Sequence, residues 1–396
     1  MIPQYRLLLG AVLLLGCTER LVTPGSCPTH CPGGFPEFRD TVITAIAELD
    51  SSFTGYSSIG GATSLMLSNS DELGESDALI RFPSRGDSVL AGDSLKPFTV
   101  DSVVLTLALQ QRDTTVGGLI LDIYRLPATF DTLTSFDAIR EEMVADNLLR
   151  SLSIPDAARE GAFNLLFEGA ELGRFSYTPD DSTRLVLGIR LRSSAPTGLY
   201  LGAASSGSGT SLYRTYVQAE IADTALQSQV VQRGALFNRS VRRYPEVHDP
   251  DLLHVGGDLS ARTLIRFEFP DYLRDSASIV RATLELAAES PLIGIPGDSA
   301  QLDVRSLVAD FGAKSAVNPN FLASGWMYPG DQAVEVEVTG LIALWQTNGL
   351  QRQGLRVQHS LEHSSFITPA FQSTRKGSAP PRIRITYRPL GGLGGF

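Results

Sequence analysis

The chain has 396 residues, which is long enough for two domains, and its 43% hydrophobic and 19% charged residues are typical of a globular protein. The 37 glycines and 22 prolines favour a turn-rich, all-β fold. A formal net charge of −10 argues against a nucleic-acid partner, because such a partner requires a positive protein face.

Residues 1–16 form a predicted lipoprotein signal peptide. Arg6 precedes a short apolar run that ends at Leu15, which is the length of a signal-peptide core and too short for a bilayer-spanning helix. The last two leucines of the run, followed by Gly and Cys, form the sequence Leu-Leu-Gly-Cys, which resembles a bacterial lipobox. We therefore predict a lipid anchor at Cys17. The alternative is an ordinary secretory signal with an incidental cysteine. Thr18, where an inner-membrane retention signal would have Asp, predicts sorting to the outer membrane of a bacterial cell envelope.

Residues 17–38 form a predicted Pro/Gly-rich tether between the lipid and the folded body. Cys27 and Cys31 are candidates for a small disulfide loop, because an exported pair would reach an oxidising compartment. Metal binding by these two cysteines and His30 is the alternative, although it lacks a fourth ligand. No further long apolar run follows, so the mature chain is not expected to cross a membrane again.

The body begins with a series of predicted β-strands separated by Ser, Asn, Asp and Gly. The strands of the first half are predicted at 41–46, 64–67, 78–82, 100–109, 119–126, 163–167, 185–191 and 213–217. Thr134 to Arg150 interrupts them with apolar residues at helical spacing, which predicts a helix capped by Thr134 or Ser135. We expect its apolar face to pack across the end of a sandwich; this face is predicted to carry Phe136, Ile139, Met143, Val144 and Leu148.

The second half repeats the plan of the first. The tetrad Leu-Ile-Arg-Phe at 79–82 recurs at 264–267, and Gly188 is matched by Gly354 in a second shared segment. The offset between the copies falls from 185 to 166, as expected when the first copy carries extra loop residues. Both tetrads are interpreted as structural, with Leu and Arg predicted to face the opposite side of a strand from Ile and Phe.

The duplication predicts two tandem β-sandwich domains with short loop helices. The first domain is predicted to span residues 39–220 and the second residues 221–388, followed by a Gly-rich tail at 389–396.

The second copy resembles the DNRLRE-type domains, also called disaggregatase-related repeats, which are akin to a carbohydrate-binding-module family. The similar segments are Leu252 to Phe269, Val280 to Leu286, Val336 to Trp345, Gly354 to Val357 and Ala379 to Tyr387. The resemblance covers residues 245–388, with a weaker copy at 60–217. It implies jelly-roll sandwiches in an exported surface protein that binds polysaccharide or adheres. The first copy has no Trp at the position of Trp345, so the resemblance implies no equivalent ligand site there.

No hydrolase, phosphate-loop or dinucleotide motif is present, so we predict a protein without enzymatic activity. No cofactor is predicted, and a structural calcium ion is left open. Potential metal ligands are densest between His248 and His254, where a polar turn is the competing interpretation. Asp180 and Asp181 are interpreted as a turn rather than as a glycosidase pair.

Residues 324–330 are predicted to form a loop, and its Trp326 and Tyr328 are the candidate carbohydrate-binding residues, because aromatic faces stack on the apolar sides of sugar rings. The alternative is that both pack beneath a long loop, and Trp345 is predicted to lie in the core. We therefore expect a lipid-anchored envelope protein whose sandwiches bind polysaccharide or another surface partner. A structural subunit of an envelope assembly and a polysaccharide-active enzyme are the alternatives.

Overall fold

The computed structural model describes residues 38–55, 62–84, 88–91, 93–175, 184–203, 212–221, 225–243, 248–257, 260–348 and 352–390. Strands make up 52% of it and helices 11%, and the strands form antiparallel sheets, which confirms the predicted all-β sandwich fold. Several predicted features lie outside the described residues: the signal peptide, Cys17, Cys27, Cys31, Asp180, Asp181 and tail residues 391–396.

The strands follow one another closely along the chain. Those before residue 243 are β1 (Arg39–Thr44), β2 (Ser51–Phe53), β3 (Ser64–Ser68), β4 (Ser76–Ser84), β5 (Ser88–Ala91), β6 (Ser94–Arg112), β7 (Ile120–Leu126), β8 (Leu148–Ser153), β9 (Gly161–Glu168), β10 (Arg184–Arg192), β11 (Gly198–Gly202), β12 (Leu212–Ile221), β13 (Ala225–Arg233) and β14 (Phe237–Arg242). Those that follow are β15 (Leu252–His254), β16 (Arg262–Glu268), β17 (Ala277–Ala287), β18 (Ala300–Ala309), β19 (Ala316–Val317), β20 (Ala323–Met327), β21 (Ala333–Glu337), β22 (Arg352–His359), β23 (Ala370–Gln372) and β24 (Arg382–Pro389). The α-helices are α1 (Phe136–Glu142), α2 (Asp271–Asp275) and α3 (Thr339–Asn348), and 3-10 turns occur at Ala145–Asn147, Gly169–Arg174 and Gly312–Lys314.

Strands β3 to β14 build the first sandwich. They form one sheet in the order β13-β12-β6-β11-β3-β4-β10-β7-β8, with β14 also paired to β4 and with β5 and β9 paired to β6. The sheet curls so that its two halves face each other across a shared apolar core. Ile80 and Phe82 of the first tetrad lie in that core, whereas Leu79 belongs to a separate apolar cluster on the other face of β4, which confirms the predicted division of the tetrad.

The second sandwich packs two sheets face to face. One sheet has the order β1-β24-β17-β21, and the other has the order β19-β18-β22-β16-β2 with β20 also paired to β18. Ile265 and Phe267 of the second tetrad face the core, whereas Arg266 points outward and binds Asp310 at 2.5 Å. Trp345 on α3 is fully buried and donates to Ser306 Oγ at 3.1 Å, which confirms that it is a core residue.

The strand pairing corrects the predicted domain spans 39–220 and 221–388. Strands β1 and β2 fall in the predicted first span but pair with β24 and β16. Strands β13 and β14 fall in the predicted second span but pair with β12 and β4. Each sandwich therefore takes two strands from across the predicted boundary.

The predicted helix from Thr134 to Arg150 is shorter in the structure. Helix α1 ends at Glu142, and the chain continues through a 3-10 turn into β8. Ser135 caps the helix by accepting a hydrogen bond from the backbone N–H of Ala138. The helix packs on Leu79 and Leu126 at the outer face of the curled sheet, not across its end, and Val144 is 48% exposed.

Candidate functional site

Strand β20 presents an aromatic pair on the outer surface of the second sandwich. Met327 is fully buried in the core, whereas Trp326 is 57% exposed and Tyr328 is 49% exposed. Side chains alternate across a strand, so the residues on either side of Met327 lie opposite the core, at most about 7 Å apart along the chain. Both therefore offer ring surface to solvent, and neither is packed beneath a loop. Trp326 belongs to the strand itself, where the sequence predicted a loop.

The position of β20 is fixed by its contacts with two neighbouring strands. Trp326 lies opposite Gln301 of β18, and Ser324 donates to Asp303 of β18 at 2.9 Å. Gly325 faces β21 so closely that an added Cβ would lie 2.8 Å from the Glu335 carbonyl oxygen. A residue with a side chain would collide with that backbone, so glycine allows β20 to close the corner between the sheets.

Polar side chains continue from the aromatic pair across the outer face of β18 and β22. Gln301, Arg305, Arg356 and Gln358 are all half-buried at outward positions of these strands. Arg305 donates to the carbonyl oxygen of Pro319 at 3.0 Å. Gln358 keeps a buried Oε1 that accepts no hydrogen bond within the described part of the chain. The face therefore places amide and guanidinium groups beside exposed aromatic rings.

Two ion pairs lie on β16, which is on the opposite side of β22 from β18 in the same sheet. Arg262 binds Glu362 at 2.7 Å and Arg266 binds Asp310 at 2.5 Å. The hydrogen bond from Arg266 lowers the pKa of Asp310 to about 2. Both carboxylates are therefore engaged at neutral pH. The arrangement suits a neutral, hydroxyl-rich ligand that stacks on the aromatic rings and forms hydrogen bonds with the amide groups.

The first sandwich keeps the framework of this face but not its aromatic pair. Ser151 donates to Asp122 at 2.5 Å, which repeats the contact between Ser324 and Asp303. By the same register, Ser153 occupies the position of Trp326. Helix α1 also covers part of the outer face. The aromatic site is therefore particular to the second sandwich.

A cleft of about 610 Å³ lies between the two sandwiches, and none of its lining residues was predicted to form a site. Leu73 and Arg242 line it from the first sandwich, and Leu292 and Phe366 line it from the second. Its polar and apolar lining comes from segments far apart in sequence. No local motif could have identified it.

A buried hydrogen bond joins the sandwiches next to this cleft. The Tyr200 hydroxyl donates to the Asp298 carboxylate and accepts from the backbone N–H of Phe366 at 2.9 Å. Burial raises the pKa of Asp298. Burial and the nearby Asp298 charge also raise the pKa of Tyr200, so its hydroxyl remains protonated as the donor.

The segment from His248 to His254 forms a hydrogen-bonded turn. The two imidazole rings stack with centroids 4.3 Å apart, and His254 Nε2 lies 3.1 Å from the Asp249 carbonyl oxygen. The Asp249 side chain accepts from the backbone N–H of Asp251 and from Lys376 Nζ. The described ranges contain no group of three or more His, Cys, Asp or Glu residues placed to hold a metal ion.

Within the described segments, no helix is long and apolar enough to span a bilayer. Comparison with protein-family models finds no match for this chain, and comparison with curated proteins finds none either.

Proposed function

We propose that this protein is a lipid-anchored, non-enzymatic component of a bacterial cell envelope that binds polysaccharide at the outer face of its second sandwich. The exposure of Trp326 and Tyr328 beside half-buried Gln301 supports this proposal most strongly. A stacked sugar ring would cover the aromatic surface, and its hydroxyl groups would bind the neighbouring amides. The resemblance to DNRLRE-type domains points to the same ligand class.

The lipid anchor is proposed from the lipobox-like sequence that ends in Cys17. The predicted tether, residues 17–38, leads to β1, which is a strand of the second sandwich. The membrane attachment and the aromatic site would then belong to the same sandwich. Lipidation is tested by metabolic labelling with a fatty acid, which Cys17→Ser should abolish.

Binding is tested on the soluble chain with an array of bacterial and plant polysaccharides. Trp326→Ala and Tyr328→Ala should each weaken binding about 2- to 10-fold, because an aromatic stacking contact contributes about 0.5–1.5 kcal/mol. Ser153→Ala is the matched control, since Ser153 is exposed at the equivalent position of the first sandwich. The proposal fails if the wild-type chain binds no polysaccharide or if both aromatic variants bind as tightly as it does.

A second candidate function is that of a structural subunit of an envelope assembly. Four large apolar residues in the segment from the end of β18 to the start of β20 are exposed, and exposed apolar surface favours a protein partner. These residues are Val308 (63%), Phe311 (73%), Phe321 (41%) and Leu322 (49%). Crosslinking in cells should capture a partner that Phe311→Ala loses while polysaccharide binding is unchanged. A chain that crosslinks to no envelope protein would contradict this candidate.

A further inference from the structure

Each sandwich contains a pair of strands at one end of its sequence: the last two strands of the first sandwich, and the first two strands of the chain in the second sandwich. In the first sandwich, β13 lies on β12 and β14 lies on β4. In the second sandwich, β1 lies on β24 and β2 lies on β16. The strands β4 and β16 carry the repeated tetrad, and β12 and β24 pair with the matching strands β6 and β17. The two pairs of added strands therefore occupy equivalent edges.

The two pairs also share the same register. In the second sandwich, Ile43 and Leu284 pair with the same residue of β24 from its two sides. In the first sandwich, Arg233 and Leu105 pair in the same way with one residue of β12, and Leu105 is the counterpart of Leu284. The offset between Ile43 and Arg233 is 190 positions. Because a shift of one residue would turn the side chains of a strand to the opposite face, the equal registers place β1 and β13 in equivalent positions.

A backbone hydrogen bond to each tetrad repeats with the same offset. The N–H of Ile46 donates to the carbonyl oxygen of Arg266 at 2.8 Å. The N–H of Leu236 donates to the carbonyl oxygen of Arg81 at 2.6 Å. Both acceptors are the arginine of the repeated tetrad. The turn between the two added strands is therefore held at the same point in both sandwiches.

A serine hydroxyl then fixes the second strand of each pair. Ser52 Oγ accepts from the backbone N–H of His254 on β15 at 2.8 Å. Ser240 Oγ accepts from the backbone N–H of Met66 on β3 at 2.6 Å. Strands β15 and β3 are the first strands of their respective copies; β15 pairs with β23, and β3 pairs with β11 and, at one residue pair, with β4. The segment that contains β1 and β2 is thus the counterpart of β13 and β14.

The N-terminal segment is bound into the second sandwich by core and polar contacts. Ile43 and Ala45 are buried in the core of that sandwich. The fully buried Asp50 carboxylate accepts from the backbone N–H and the hydroxyl of Thr374, both at 2.7 Å, and lies 3.3 Å from Arg375 Nη1. Burial of a carboxylate is costly unless donors surround it, so these contacts specify one seating of the segment.

We propose that residues 38–55, here called the clasp, are a separable ligand of the second sandwich. The binding site is formed by the edges of β24 and β16, and it recognises the extended strand pair by backbone pairing, as in strand addition. The buried side chains of Ile43 and Ala45 and the Asp50 contacts provide specificity. Because the contacts do not depend on the connection to β3, the same site accepts a clasp peptide from solution.

The test cuts the connection while the protein is folded. A specific protease sequence replaces residues 56–61, and the purified chain is cleaved under native conditions. We expect the clasp to co-elute with the rest of the chain in gel filtration, and a labelled peptide of residues 38–55 to exchange into the cleaved protein but not into the uncut protein. A clasp that elutes separately, while the remaining chain keeps its circular dichroism spectrum and its melting transition, would overturn the proposal.

Two variants of the cleaved protein test the specificity of binding. Asp50→Ala should speed clasp release at least about tenfold, because charge-assisted hydrogen bonds are lost. Val42→Ala is the matched control: Val42 lies on β1 of the same clasp, is 52% exposed, and should change the release rate less than about twofold. Equal acceleration by both variants would contradict the assigned contacts. If Asp50→Ala does not fold, peptide exchange in the cleaved wild-type protein still decides the question.

Discussion

The buried imidazole of His359 should make the second sandwich sensitive to mild acid. His359 ends β22, and its Nδ1 accepts from the backbone N–H of Leu361 at 3.0 Å. Its Nε2 is buried and has no hydrogen-bond partner within the described residues. An added Cβ on Gly256 would lie 3.2 Å from the imidazole ring, so Gly256 packs closely against one side of the ring. Burial lowers the pKa of His359 to about 4, so folding excludes the charged form.

The size and sign of the effect follow from the two pKa values. In the unfolded chain the group titrates near 6.5, whereas in the folded protein it titrates near 4. A lowered histidine pKa contributes stability that is fully present above the unfolded value and is lost as pH falls toward the folded value. A separation of about 2.5 units corresponds to a loss of about 3 kcal/mol, at about 1.4 kcal/mol per unit.

Urea denaturation from about pH 7.5 to about pH 4 measures this loss directly. His359→Gln keeps an acceptor for the Leu361 N–H but cannot take up a proton, so the wild-type chain should lose up to about 3 kcal/mol more than the variant across this range. Burial raises the pKa of Asp77 to about 6 in the first sandwich, so Asp77 contributes stability that is lost as pH rises through about 6. That opposing slope cancels because both proteins contain Asp77. Parallel stability curves for the two proteins would refute the role of His359.

Two further substitutions test contacts that position the sandwiches and the aromatic face. Gly325→Ala should lower the free energy of unfolding by about 1–3 kcal/mol, because its Cβ would meet the Glu335 carbonyl oxygen. It should also weaken polysaccharide binding. An unchanged melting temperature would show that β20 can move away freely. Tyr200→Phe should cost about 1–3 kcal/mol at neutral pH, because buried Asp298 keeps the backbone N–H of Ser299 as a donor but loses the Tyr200 hydroxyl; the cost should be lower in acid, where protonation removes the charge, and a loss that does not depend on pH would contradict this pairing.

The duplicated sandwich was predictable from the sequence because both copies repeat local apolar patterns. Ile80 and Phe82 in the first tetrad, and Ile265 and Phe267 in the second, lie in their cores as strand alternation requires. The sequence did not allow us to predict that β1 and β2 belong to the second sandwich. Edge pairing depends on partners such as Asp40 and Thr386, which are 346 positions apart, and no local pattern records such a choice.

The errors in the local predictions have physical causes. Met143 is buried and Leu148 packs against the same cluster, but Leu148 does so from a strand, so spacing alone suggested one long helix. Trp326 was expected in a loop, yet it lies on β20, where the preceding Gly325 allows two strands to pack closely. The exposure of Trp326 could not be read from its sequence context at all. It depends on which side of β20 faces the core.

The tryptophan fluorescence of the chain tests the proposed binding site most directly. The chain has two tryptophans, of which Trp345 is fully buried and Trp326 is 57% exposed. Acrylamide should therefore quench mainly the fluorescence of Trp326. We expect a bound polysaccharide to protect Trp326 from quenching and to leave the fluorescence of Trp345 unchanged. Trp326→Phe should remove the quenchable fraction and its protection together. Polysaccharide binding that leaves the quenching of Trp326 unchanged would contradict the proposed site.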